Sequence, residues 1–131
     1  MRWWLSFVLL VFSCSTLAEE GAGGGAVQYV NLDPAFVANF GDVGRLKYVK
    51  AEISVRVHGE SAATQVKHHI ASIRNGLVFL LSRQEETAMT TMEGKEGLRK
   101  EALQIVKDVL TEETGEAMVE DLLFTSFVVQ R

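Results

Sequence analysis

The chain has 131 residues, 47% of them hydrophobic, with 13 Lys and Arg against 17 Asp and Glu and a formal net charge of −4. That allows one modest domain, and the acidic balance argues against a nucleic-acid footprint, which needs a clustered basic face, and gives no electrostatic reason to sit on an anionic membrane. Cys14 is the only cysteine, which excludes a disulfide scaffold and a thiolate metal site.

Met1-Arg2, the apolar run Trp3 to Phe12 and the small-residue ending Thr16-Leu17-Ala18 have the anatomy of a secretory signal, with cleavage between Ala18 and Glu19. Two other readings stay open. Residues 1–18 could be an uncleaved membrane anchor, or Val11-Phe12-Ser13-Cys14 could act as a lipobox with Cys14 acylated. Residues 19–26 read as a Gly-rich flexible leader, leaving residues 27–131 as the domain. The glycine run lacks the preceding strand and the Gly-Lys-Ser/Thr ending of a phosphate loop.

Val27 to Leu32 predicts a short edge strand stopped by Asp33-Pro34, because proline cannot donate to a ladder. Ala35 to Phe40 continues extended, with Phe36 and Phe40 as anchors, and Gly41-Asp42-Val43-Gly44 is the turn. Leu46 to Val57 then alternates cleanly. Val49, Ala51, Ile53, Val55 and Val57 fall on one face, Lys50, Glu52, Ser54 and Arg56 on the other. One buried and one wet face imply a sheet with helices on a single side.

Gly59-Glu60-Ser61 marks a loop and an N-cap, and Val66, Ile70, Ile73, Leu77 and Leu80 predict a helix over 62–81, with a weak point at Asn75-Gly76. Ser82 to Ala88 reads as a polar connection. Thr90-Thr91-Met92-Glu93 has the form of a capping box with Thr90 at the N-cap, opening a second helix from about Thr91 to Leu110. Its apolar stripe is Leu98, Ala102, Ile105, Val106, Val109 and Leu110. Its other face, Lys95, Glu96, Arg99, Lys100, Glu101, Lys107 and Asp108, reads as solvated. The last stretch, Val119 to Gln130, is β-rich with apolar residues on both parities, which predicts an interior strand covered on both faces or a bulge that changes parity.

The fold class expected is therefore α+β, an antiparallel sheet of about three to four strands with two main helices on one face. No catalytic, cofactor-binding or metal-ligating set emerges. His68 and His69 are adjacent, about 100° apart on a helix, where two ligands for one ion want i,i+4 spacing, and His58 sits at a strand end. No Gly-x-Ser-x-Gly elbow occurs, and the carboxylates lie on helical faces and turns.

Five stretches, taken together, carry a family resemblance: Tyr29-Val30-Asn31-Leu32 with Phe36; Leu46 to Val57; Ile73-Arg74-Asn75 with Leu80-Leu81-Ser82; Glu93-Gly94-Lys95-Glu96-Gly97-Leu98-Arg99; and Leu122 to Gln130. In this order they resemble the C-terminal periplasmic domain of the FliL family, proteins associated with the flagellar basal body. The resemblance implies a stomatin-like fold and a non-enzymatic accessory of the flagellar motor. It further implies a periplasmic domain at the inner membrane and basal body, self-associating in rings around the stator proteins MotA and MotB and supporting swimming or swarming. An alternative is an interaction module of another envelope complex that shares the fold. Family members typically keep a transmembrane helix, whereas this chain reads as signal-cleaved. The matching polar positions are Arg74, Asn75, Glu93, Gly94, Lys95 and Gln130. For most a structural role is expected, Glu93 as a cap and Gly94 as a close-packing residue, with Phe124 and Phe127 in the core. The interaction surface is expected on the charged face of the second helix or the wet face of Leu46 to Val57.

Overall fold

A computed structural model of the chain describes residues 25–41, 44 and 46–130. The expected signal segment 1–18 with its Ala18/Glu19 junction and Cys14, the expected leader up to Gly24, and Asp42 and Val43 of the expected first turn lie outside the described residues.

The centre of the domain is β3 (Lys47–His58). Its alternation is the expected one, with Val49, Ala51, Ile53, Val55 and Val57 all buried. The last strand, β4 (Val119–Gln130), pairs antiparallel with β3 along nearly its whole length, from Tyr48 opposite Gln130 to Val57 opposite Val119. With that side occupied, β1 (Val27–Asn31) and β2 (Phe36–Phe40) must share the other side. β1 pairs with residues 54–58 and β2 with residues 47–51. They form one edge strand interrupted at residues 32–35, where Pro34 sits.

Among the described residues β4 therefore has a neighbour on one side only, and its buried residues are Val119 and Leu122. This corrects the expectation of an interior strand covered on both faces, while the bulge alternative holds twice over. The register shifts between Glu52 and Ile53 and between Arg56 and Val57, leaving Thr125 and Glu120 as extra residues on β4. Each extra residue resets the parity. Val119, Leu122, Phe124, Phe127 and Val129, spaced by threes and twos in sequence, all come to stand opposite the buried residues of β3 and pack on one core. Leu123 and Val128 are left outside.

Among the described residues four helices cover that core face. They are α1 (Glu60–His68), α2 (Ile70–Ser82), the short α3 (Glu86–Thr90) and α4 (Met92–Thr114). The break in the first long helix falls at His69 and not at Asn75-Gly76. Gly76 is where α2 meets α4, since a Cβ there would come within 2.8 Å of Ile105 Cγ2. The residue that costs helix propensity is kept for close approach. The N-cap of α1 is Gly59 at φ 85°, not Ser61. The connection 82–88 contains α3, whose Met89 is fully buried. α4 is capped by Thr91, whose Oγ1 accepts from the Gly94 backbone N–H at 2.9 Å, so the capping-box reading with Thr90 and Glu93 is one residue out of register. The helix ends on Gly115 in the left-handed region, φ 85°. Among the described residues no helix is long and apolar enough to cross a membrane.

Candidate functional site

The polar positions singled out by sequence fall in three places. Arg74 on α2 donates from Nη1 to the carbonyl oxygens of Leu32, 2.7 Å, and Pro34, 2.6 Å, and lies 4.0 Å from the Phe36 ring centroid. It fastens the interruption between β1 and β2, while Asn75 beside it is exposed. Glu93, Gly94 and Lys95 open α4. Glu93 is exposed and its side chain makes no hydrogen bond among the described residues, the cap of α4 being Thr91. A Cβ on Gly94 would stand 2.5 Å from the Thr87 carbonyl oxygen and 2.6 Å from Ala88 Cα, so that position admits only glycine where α3 turns into α4. Lys95 Nζ sits 5.3 Å from the Phe127 ring centroid, a cation over an aromatic face. Gln130 is exposed at the end of β4, opposite Tyr48.

The face of α4 expected to be solvated is in part a clamp on β4. Arg99 donates to Glu96 (Nε to Oε2, 2.9 Å; Nη2 to Oε1, 2.6 Å), to Asp121 Oδ1 at 2.5 Å and to the Leu122 carbonyl at 3.2 Å. These carboxylates raise its pKa further above the usual arginine value, Glu96 more than Asp121, and Glu96 is in turn lowered by hydrogen bonding to Arg99. Sequence reasoning missed this because residues 96 and 99 look like an ordinary i,i+3 surface pair, and only the fold brings residue 121 beside them.

No three side chains of the metal-ligating types come together among the described residues. His58 Nε2 lies 2.5 Å from Glu120 Oε1 and His69 Nδ1 lies 3.9 Å from Glu113 Oε2, each a separate surface pair.

What the fold does assemble is an apolar face on the side of the sheet away from the helices. In register across the strands, Val37 and Val128 flank Lys50, and Tyr48 stands between Asn39 and Gln130. Tyr29 lies opposite Arg56 and Leu123 opposite Ser54. Val37 is 61% exposed, Tyr29 55%, Tyr48 47% and Val128 46%. A hollow of about 280 Å³ is lined by Val37, Tyr48, Val49, Lys50 and Gln130. One residue of this face departs from expectation. Ser54 is buried under Asn31, to whose Oδ1 it donates, and so is not part of a wet stripe. Of the two surfaces expected, this outer face carries the larger number of exposed large apolar residues, while α4 carries Met92. Val37 and Val128 were not singled out, although the alternation of β2 and the parity change at Thr125 are the signals that point to them.

The profile of a family described as flagellar basal body-associated protein FliL matches residues 29–130. The chain belongs to the FliL family. That match begins at Tyr29 in β1 and ends at Gln130 in β4, so the FliL span takes in the described sheet, apart from the first two residues of β1, and its helical cover. The flagellar protein FliL of Aquifex aeolicus strain VF5 is 28% identical over 99 residues, 76% of this chain and 59% of that protein. Those of Escherichia coli K12 and Shigella flexneri are each 28% identical over 95 residues, 72% of this chain and 60% of the relative. The matched region thus spans about three fifths of the length of these FliL relatives. Membership places the chain in a family described as flagellar and basal body-associated.

Proposed function

We propose that this protein is a non-enzymatic accessory of the flagellar motor, self-associating around or beside the stator proteins MotA and MotB and supporting swimming and swarming. The observation that carries the reading is the exposed apolar sheet face centred on Val37, Tyr48 and Val128, in a chain whose family is associated with the basal body. A contiguous apolar area of this kind on a small domain marks a surface that another protein covers. The dispersal of the polar positions supports contact rather than turnover as the role, since Arg74, Lys95 and Arg99 each hold the chain's own backbone or rings. The domain acts in the periplasm at the inner membrane. It is delivered there by cleavage after Ala18, or held by an uncleaved segment 1–18 or an acylated Cys14; intact-mass measurement of the mature protein distinguishes the three.

The test is deletion combined with in-cell crosslinking. Loss of the gene is expected to lower swimming or swarming, and crosslinkers placed at Val37 and Val128 are expected to capture a second copy or a stator protein. A strict monomer with no stator contact in swimming cells sinks the reading. Adducts confined to a different envelope complex would favour the alternative role.

A further inference from the structure

We infer that the sheet face over which no helix lies among the described residues is covered by the helix layer of a second copy of this chain, with Met92 of one copy seated among Val37, Tyr48 and Val128 of the next and Glu93 opposite Lys50. The inference rests on the self-association reading above and names its contact.

The argument starts from Lys50. It stands at the centre of the apolar face, with Val37 and Val128 directly across on either side. Among the described residues it has no ion-pair partner, whereas Arg56 and His58 on the same strand are both paired with Glu120. An apolar hollow with one unpaired cation on its floor fits an apolar side chain that carries a carboxylate beside it.

The helix layer of the same chain presents such a group. Met92 is 89% exposed, the most exposed of the large hydrophobics, and the next residue, Glu93, is also exposed. Glu93 has no ion-pair partner among the described residues, while Glu96, one turn on, is held by Arg99. Among the described residues Val78 and Phe79 on α2 are the other exposed large apolar residues of the helix layer, but α2 contains no acidic residue to meet Lys50. Charge complementarity therefore selects the start of α4.

The two surfaces are built on different elements, one on the sheet and one at the start of α4, so the contact is heterologous and each copy offers one half to each neighbour. Stacking the sheet face on its own copy about a two-fold axis through the patch would instead bring two Lys50 ammonium groups together, which is unfavourable.

The test is a charge swap, read by sedimentation velocity of the full chain over a concentration series in mild detergent. Lys50→Glu and Glu93→Lys are each expected to weaken self-association by ~10-fold or more. Met92→Ser is expected to weaken it as well. All three sites are exposed, and unchanged thermal melts verify that the variants fold. Mixing K50E with E93K in equal amounts is expected to restore association, because alternating copies then meet with opposite charges at every contact. The K50E/E93K double variant is expected to associate by itself. Wild-type association with single variants unaffected, or with no recovery in the mixture, overturns this contact but leaves self-association standing. A wild-type chain that stays monomeric at every concentration overturns the underlying reading too.

Discussion

Arg74 bonds the carbonyl of Leu32, 42 residues earlier in the chain, at 2.7 Å. The break between β1 and β2 takes the Leu32 and Pro34 carbonyls out of regular pairing, and one guanidinium serves both while lying on the Phe36 ring. Arg74→Ala is expected to cost about 2 kcal/mol in urea unfolding, the range for hydrogen bonds with a charged donor. Arg74→Lys should recover only part of that, since an ammonium lacks the planar fork. A loss under about 0.5 kcal/mol for the alanine variant would mean that the junction holds without it.

Gly76 gives a substitution whose sign runs against helix propensity. Alanine in a helix interior is favoured over glycine by up to about 1 kcal/mol, yet a Cβ here would meet Ile105 Cγ2 at 2.8 Å. Overpacking costs about 1–3 kcal/mol, so Gly76→Ala is expected to destabilise by about 1 kcal/mol net. In an Ile105→Ala background the same change should become neutral or stabilising. A double-mutant cycle on the two helices measures this directly.

The bulge at Thr125 makes deletions on one strand unequal. Removing Thr125 leaves Phe124, Phe127 and Val129 in regular alternation, so the core face survives. Removing Leu123 makes Leu122 and Phe124 neighbours, and one of them must leave the core, at about 2 kcal/mol for a large apolar side chain. The Thr125 deletion is therefore expected to unfold close to wild type, with more aggregation because its edge is flatter. The Leu123 deletion should be the less stable of the two. Chemical unfolding and light scattering on both variants check the order.

Acid should loosen the clamp on β4 through Glu96. Hydrogen bonding to Arg99 lowers its pKa, so the folded value lies below the unfolded one of about 4.3. The stabilisation is then complete above the unfolded value and is lost as pH falls through the folded value. Glu96→Gln should remove this dependence, so that wild type and variant converge in thermal stability from about pH 5 downward. The carboxylate is exposed, and added salt should shrink the difference.

The parts of the fold that were legible in the sequence are those set by local pattern. The alternation of Lys47–His58 and the stripe of Leu98, Ala102, Val106 and Leu110 marked buried faces without any knowledge of neighbours. What was not legible depends on chain segments meeting. Thr125 and Glu120 look like ordinary strand residues, so the two-parity pattern of β4 read as burial on both faces when it records two bulges. Asn75-Gly76 read as a weak point because propensity is local, whereas the reason for the glycine is Ile105 on another helix. Arg99 read as solvated because residues 121 and 122 are visible only once β4 is in place. The apolar outer face was half legible. Leu46 to Val57 supplied its centre, and the flanking Val37 and Val128 waited on the register.

The central position of β3 has a consequence for how the chain matures. Its first flank, β1 and β2, is already synthesised when β3 appears, but the second flank arrives some seventy residues later, as the contact between Thr125 and the Glu52 carbonyl illustrates. Until then one edge of β3 has no pairing partner, and the loop that must close is long. β4 therefore reaches β3 only across a contact of high sequence separation, the kind of pairing that slows folding.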